Sequence, residues 1–142
     1  MIDEDTIKAK LNIIRENLLK IKDLLKLSDA ELKASDVSRS ALERYFQLMV
    51  DAAVGVNEHI ISEENLESPS DYFNTFPILG RAGILPLEFA ERIAPSVGLR
   101  NQLIHQYEKI DVDRMLRDIR KDVTDYDDYI AYIVKHYNLV NN

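Results

Sequence analysis

The chain has 142 residues, a net charge of −7 and no cysteine. The lack of cysteine excludes disulfide bonds, thiolate zinc sites and cysteine nucleophiles, and it is compatible with a reducing compartment. An apolar content of 46% with 30% charged residues is typical of soluble globular proteins, and no apolar run approaches the roughly 20 residues that span a bilayer. We therefore expect one cytoplasmic domain over residues 1–142, without a secretory leader or a membrane segment.

The charges are unevenly distributed along the chain. Basic residues dominate positions 8–26, whereas the segment between Arg44 and Arg81 has several carboxylates and no lysine or arginine. The net negative charge counts against attraction of nucleic acid to the whole surface, so an RNA substrate would need a local basic groove. The acidic middle suits a basic protein partner, although for each run alone a solvated helix face is the simpler interpretation.

The first segment, residues 5–27, carries an apolar stripe at alternating steps of four and three. This pattern predicts a long helix that packs lengthwise on another helix. The stripe comprises Ile7, Leu11, Ile14, Leu18, Ile21 and Leu25. Residues 28–36 show no sustained period, so we predict a connection there, with Ser35 or Asp36 capping the next helix.

The second segment, residues 37–65, repeats the same rhythm. Its stripe comprises Ala41, Tyr45, Leu48, Ala52, Val56 and Ile60. Short side chains such as Ala53 and Gly55 predict that another helix comes close. His59 and Glu63 could supply two metal ligands, but two ligands make no site, so we interpret His59 as a structural or surface histidine.

Proline and glycine punctuate residues 66–86, which predicts one or two short helices joined by turns. A helix is expected from Pro86 to Ala94, since proline suits the first helical position. Pro95 should kink or restart that helix, because its ring clashes with the carbonyl four residues earlier. Gly98 then gives the backbone freedom to re-aim the segment that follows.

The last segment, residues 112–139, has no glycine or proline and predicts another long helix. Its stripe comprises Leu116, Ile119, Val123, Tyr126, Ile130, Ile133 and Tyr137. Asp111 or Asp113 is expected to cap it, and its tyrosines are expected to pack rather than to stack on bases. No β alternation appears, so the predicted fold is all-α, an up-and-down bundle of four main helices with short additional helices.

The chemically versatile side chains concentrate in residues 96–110. Arg100, Asn101, His105 and Tyr107 lie within eight positions. Arginine offers a planar cation suited to phosphate, histidine exchanges protons near neutral pH, and a tyrosine phenol can donate, accept or be modified. The same spacing fits an ordinary amphipathic helix, because Arg100 and His105 lie about 140° apart on a continuous helix. Long arginine reach, a helix end near His105 or a second copy of the chain would be needed to aim both at one point.

The sequence RNQLIHQY at residues 100–107 resembles the R-x4-H-x-Y motif of the HepT toxin family, within the HEPN superfamily. The likeness extends to Gly98, to residues 110–111 and, upstream, to residues 40–45 and 57–61, so it covers essentially the whole chain. The resemblance implies a HEPN-like helical domain and a toxin that cleaves cellular RNA without a metal ion or another cofactor.

The residue types suit that chemistry. The 2′-hydroxyl of RNA would attack the adjacent phosphorus, His105 would transfer the proton as general base or acid, and Arg100 would stabilise charge on the phosphorane oxygens. Asn101 would orient His105 or the phosphate. One histidine is poorly equipped to act as base and acid at once, and the resemblance implies a homodimer that brings two motifs to one cleft.

The resemblance also implies a partner, the nucleotidyltransferase antitoxin MntA, which transfers AMP from ATP onto the motif tyrosine, here Tyr107. From the residues alone, the preferred interpretation is that Tyr107 packs its ring against Ile110 without modification. An alternative function is a non-catalytic helical adaptor that binds such a nucleotidyltransferase, with Arg100 and His105 in structural salt bridges.

Overall fold

The computed structural model describes residues 1–105 and 109–140. Within those ranges the backbone forms seven helices and no strand, which confirms the predicted all-α class. The helices are α1 (Glu4–Leu24), α2 (Asp29–Ala34), α3 (Asp36–Glu63), α4 (Thr75–Arg81), α5 (Leu87–Ile93), α6 (Pro95–His105) and α7 (Val112–His136). No helix in this described part of the chain is both long enough and apolar enough to cross a bilayer.

Side-chain caps determine where the long helices begin. The carboxylate of Asp3 accepts hydrogen bonds from two backbone N–H groups in the first turn of α1. Ser35 caps α3 by accepting from the N–H of Ser38 at 3.2 Å, and Asp111 caps α7 by accepting from the N–H of Arg114 at 3.2 Å. Each cap satisfies a backbone donor that has no partner inside its helix, and the predicted roles of Ser35 and Asp111 are confirmed.

The prediction of a plain connection over residues 28–36 was wrong, because this segment contains α2. Ser28 accepts from the N–H of Glu31 at 3.1 Å, and the Glu31 carboxylate accepts from the N–H of Ser28 at 3.0 Å. This reciprocal capping box starts a helix of six residues. Leu32 is its one buried residue, so the helix is too short to produce a periodic apolar signal.

The predicted apolar stripes of α1 and α7 line the core, apart from their last members, Leu25 and Tyr137, which follow the helices and are half-buried. The prediction for the first half of the α3 stripe was wrong by one position. The buried residues there are Leu42, Phe46 and Met49 instead of Ala41, Tyr45 and Leu48. Apolar residues occupy both neighbouring positions in this half of α3, and the larger aliphatic and aromatic side chains take the core.

Two predictions about close packing and local structure are confirmed. A Cβ built on Gly55 would lie 3.2 Å from the side chain of Lys10, so α1 does pass close to α3 at this residue. His59 is structural, since its Nε2 accepts a hydrogen bond from the N–H of Asp3 at 3.1 Å. The imidazole thereby links the end of α3 to the start of α1.

Pro95 restarts the helix as predicted, because α5 ends at Ile93 and α6 begins at Pro95. The helix α5 begins at Leu87, one residue later than predicted, so Pro86 is the residue before the helix rather than its first residue. The prediction that Gly98 re-aims the chain was wrong, because α6 continues through Gly98 without interruption. The hydrogen bonds of α6 therefore hold Gly98 in an ordinary helical conformation.

Buried polar contacts fix the helices beneath α6. The hydroxyl of Tyr129 in α7 donates to the side-chain oxygen of Asn57 in α3 at 2.6 Å, and Asn57 donates to Thr75 in α4 at 3.1 Å. Ser96 in α6 and Tyr126 in α7 share a buried hydrogen bond of 2.8 Å. Both tyrosines are fully buried, so they pack in the core as predicted, and they give α6 a rigid base.

Candidate active site

Arg100 is the best-anchored polar side chain of α6. Its Nε donates to the carboxylate of Asp51 in α3 at 2.7 Å, and one terminal nitrogen donates to the side-chain oxygen of Asn101 at 3.0 Å. The guanidinium carbon lies 5.6 Å from the centroid of the Tyr72 ring. A guanidinium has five N–H donors, so these contacts fix its plane and leave donors for an anion.

A pocket of about 240 Å³ opens beside this arginine. It is lined by Asp51, Val54, Glu58, Tyr72 and Arg100. The side chain of Arg100 is only 16% exposed, so its charge is partly shielded from water and acts mainly on groups that enter from the pocket side. Asp51 offsets that charge and holds the guanidinium against α3.

His105 lies at the exposed end of α6. It follows Arg100 by five positions, which corresponds to about 7.5 Å along the helix axis and about 140° around it. No hydrogen bond described for either residue joins them. Within one chain Arg100 therefore faces α3, whereas His105 faces solvent.

Of the other two predicted site residues, Asn101 and Tyr107, the structure describes only Asn101. Asn101 is exposed and its side-chain oxygen binds Arg100 rather than His105, so it acts directly on the position of the guanidinium. Tyr107 lies outside the described residues.

Sequence reasoning missed Asp51, Glu58 and Tyr72 as parts of this site. Asp51 is separated from Arg100 by 49 positions, so no local spacing connects the two residues. A signal was nevertheless present, because Asp51 is the single charged residue in the otherwise apolar run over residues 48–56. A carboxylate in such a run requires a partner when the helix packs, and the partner is Arg100.

A second, smaller cleft of about 90 Å³ lies between α6 and the start of α7. Its lining includes the cations Lys109 and Arg114 together with the carboxylates Asp111 and Asp118. The cleft near the end of α6 thus combines both signs of charge. In the described ranges, no group of three or more histidine, aspartate or glutamate side chains could hold a metal ion.

Comparison with known proteins identifies the family. The family described as Ribonuclease HepT-like matches residues 14–133, which contain Arg100, His105 and Asp51. The chain belongs to the HepT-like ribonuclease family. The resemblance drawn from residues 100–107 is therefore confirmed.

Two HepT proteins are similar to this HepT-like chain in sequence. The tRNA nuclease HepT of Aphanizomenon flos-aquae is 34% identical over 134 residues, which span 93% of this chain and 90% of that protein. The mRNA nuclease HepT of Shewanella oneidensis is 22% identical over 87 residues, which span 61% of this chain and 65% of that protein.

Solved structures share the HepT-like fold at lower identity. The tri-AMPylated HEPN toxin of Shewanella oneidensis, solved in complex with its MNT antitoxin, superposes with a TM-score of 0.85 at 19% identity, covering 92% of this chain and 98% of that one. The cytosolic protein YutE of Bacillus subtilis superposes with a TM-score of 0.81 at 18% identity, covering 99% of this chain and 96% of that one. These likenesses confirm the HEPN-like helical arrangement.

Proposed function

We propose that this HepT-like ribonuclease is the toxin of a toxin–antitoxin pair and cleaves RNA at a site built from Arg100, Asn101 and His105. The observation that carries the proposal is the anchored guanidinium of Arg100, which keeps free N–H donors on the helix that ends with an exposed histidine. Transfer RNA is the first substrate to test, because the relative with 34% identity is a tRNA nuclease, and messenger RNA is the second.

The proposed reaction needs a proton acceptor, a proton donor and a cation. The 2′-hydroxyl loses its proton to the imidazole of one His105 and attacks the adjacent phosphorus, and the bond from phosphorus to the 5′-oxygen of the next nucleotide breaks as that oxygen takes a proton from the imidazolium of the second copy's His105. Arg100 stabilises the negative charge that develops on the phosphorane oxygens. Asn101 and Asp51 hold the guanidinium in position before the substrate binds.

A homodimer completes this proposed site. Arg100 and His105 diverge within one chain, so we propose that a second copy brings two copies of the motif to one cleft. The exposed face of α6 includes Pro95, Gly98 and His105, and a Cβ at Gly98 would meet no atom of residues 1–105 or 109–140 within 4 Å. This open face supports a twofold contact between two α6 helices.

We also propose that an MntA-like nucleotidyltransferase neutralises the toxin by AMP transfer to Tyr107. The phenol oxygen of Tyr107 would attack the α-phosphate of ATP and pyrophosphate would leave. The added phosphate would occupy the position of the substrate phosphate near Arg100 and repel incoming RNA; one charge pair at 4 Å contributes about 4 kcal/mol at an effective dielectric of about 20.

Intact-mass measurement tests the AMP transfer. After co-expression with an MntA-like nucleotidyltransferase, the mass should exceed 16.4 kDa by one or more AMP units, and Tyr107→Phe should abolish the increase. An unchanged mass together with neutralised toxicity would mean that the partner inhibits by binding alone.

Incubation of the purified chain with tRNA or total RNA, with and without EDTA, tests the cleavage. We expect cleavage in both conditions, and we expect His105→Ala to lose roughly 10² to 10⁴-fold in rate without loss of helical content. His136→Ala is the matched control, since His136 is also an exposed histidine at the end of a helix. Cleavage by His105→Ala at the native rate would disprove the assignment.

Expression without a partner separates the toxin from the adaptor considered above. A ribonuclease toxin arrests growth by itself, whereas an adaptor does not.

We further propose that residues 1–142 act as one cytoplasmic domain. A hydrophobic core cluster with members from all seven helices supports the single domain.

A further inference from the structure

We propose that the pocket beside Arg100 binds one nucleobase of the RNA and favours a base with an exocyclic amino group over uracil. We call it the base pocket, and its lining residues are Asp51, Val54, Glu58, Tyr72 and Arg100. The proposal deepens the proposed ribonuclease function and rests on it, because the base belongs to the RNA whose phosphate Arg100 would bind.

Tyr72 supplies an aromatic wall that is held in place. Tyr72 is 44% exposed although its ring lies beside the partly shielded Arg100. The carbonyl of Tyr72 accepts hydrogen bonds from the backbone N–H of Thr75 at 3.2 Å and from its hydroxyl at 2.7 Å, and Thr75 is itself buried. Aromatic side chains that stay exposed on such a fixed turn are the usual stacking surface for single-stranded bases.

Two carboxylates supply the polar wall. Asp51 and Glu58 lie seven positions apart on α3, which is about two helical turns, so they share one face. Glu58 is exposed and has no hydrogen bond or salt bridge in the described part of the chain. A carboxylate accepts hydrogen bonds and donates none, so it matches the amino groups of adenine, cytosine and guanine.

Uracil fits this wall poorly. Its pairing edge has a single N–H flanked by two carbonyl oxygens, so a carboxylate that accepts from that N–H places its negative charge beside a carbonyl oxygen that gains no donor. A polar group that enters a buried or half-buried site without a hydrogen-bond partner costs binding free energy. This cost is how a polar pocket rejects the wrong ligand.

The charge of the lining also favours a base over a phosphate as the occupant. Asp51 and Glu58 carry two negative charges against the one positive charge of Arg100, which gives a net charge of −1. A phosphate inside the pocket would face both carboxylates. A base inside the pocket leaves its own phosphate at the rim, where the free N–H donors of Arg100 can reach it.

The first test measures base preference in cleavage. The wild-type protein should cleave short oligoadenylate and oligocytidylate with kcat/KM at least about 10-fold higher than oligouridylate, the discrimination expected for one mismatched edge. Glu58→Gln should narrow that ratio, because the amide can donate to a uracil carbonyl. Glu88→Gln, an exposed glutamate on α5, is the matched control and should keep the wild-type ratio.

The second test measures binding without cleavage. In a His105→Ala background, fluorescence anisotropy should show tighter binding of oligoadenylate than of oligouridylate. Tyr72→Ala should weaken the oligoadenylate binding by about 5-fold or more, whereas Tyr72→Phe should retain it. Phe73→Ala is the control, since Phe73 is a similarly exposed neighbour that does not line the pocket.

The two tests separate this proposal from the cleavage itself. Cleavage of RNA with equal rates on all three oligonucleotides would overturn the base pocket and leave the ribonuclease intact. Absence of cleavage with a preference that depends on Tyr72 in the binding assay would support the pocket and overturn the proposed function. Equal binding of both oligonucleotides, unchanged by Tyr72→Ala, would overturn the pocket.

Discussion

Asp51 is the residue on which the position of Arg100 depends, since it accepts from the guanidinium at 2.7 Å. We expect Asp51→Ala to lower kcat/KM for RNA cleavage by about 10 to 100-fold, because a displaced catalytic group loses its alignment with the substrate. Asp51→Asn should retain much of the activity, because the amide oxygen still accepts from Nε. Equal loss in both variants would mean that the charge of Asp51, rather than its hydrogen bond, is what matters. Circular dichroism checks that both variants stay helical.

Asp122 makes stability depend on pH. Burial raises the pKa of Asp122 to about 7, with Asp125 and Asp118 adding to the rise and Lys121 opposing it. The unfolded chain releases this proton near pH 4, so the free energy of unfolding falls as the pH rises from about 4 to about 7, by up to about 4 kcal/mol. Above that window the contribution is level.

Thermal unfolding of Asp122→Asn tests this expectation. The neutral amide has no proton to lose, so the Tm advantage of the variant over the wild type should grow between pH 5 and pH 8. Asp128→Asn removes a less buried carboxylate from the same helix and is the control for the loss of one negative charge. A constant difference for Asp122→Asn across the range would refute the expectation.

At the scale of helices, Arg120 connects α7 to the end of α1. Its guanidinium donates to the carbonyls of Leu25 and Leu27 at 3.1 Å each and to the carboxylate of Asp29. These carbonyls follow the last turn of α1 and have no helical partner of their own. One side chain of α7 thus holds the α1–α2 connection.

We expect Arg120→Ala to lower the free energy of unfolding by about 1–2 kcal/mol, because it removes charged hydrogen bonds at a partly exposed site. Urea denaturation provides the measurement. Arg117→Ala, three residues earlier on the solvent face of α7, should change stability by less than about 0.5 kcal/mol. Equal effects from the two variants would count against the role of Arg120.

At the scale of the whole molecule, the open face of α6 predicts the assembly state. Light scattering should give about twice 16.4 kDa at micromolar concentration. Gly98→Arg should give the monomer and lose RNA cleavage while staying helical, because a Cβ at this position meets no atom of the described residues within 4 Å and the longer side chain fills the face that a second copy would contact. A wild-type protein that remains monomeric would exclude the shared site.

The sequence predicted the long helices better than the site. The stripes of α1 and α7 could be found because one apolar face repeats over many turns. The short helix α2 has too few apolar positions to give such a pattern, and the first half of α3 has too many to show which of them face the core. Residue chemistry singled out Arg100, Asn101 and His105, but their spacing alone favoured an ordinary amphipathic helix, and the resemblance to the HepT family was needed to propose them as a site. The contact with Asp51 could not be predicted, because it depends on how α3 and α6 pack across 49 positions of sequence.

The uneven burial of α6 has a kinetic consequence. Its buried residues, Ser96, Val97 and Leu99, all lie in the first half of the helix, and only Leu103 packs partly against the core after them. Local opening of the last turns therefore exposes little apolar surface and requires less free energy than opening of the first turns. Amide hydrogens over residues 101–105 should exchange with deuterium faster than those over residues 97–99 in the isolated chain. Slower exchange confined to residues 101–105 would then report directly when a second copy, RNA or an antitoxin covers the motif.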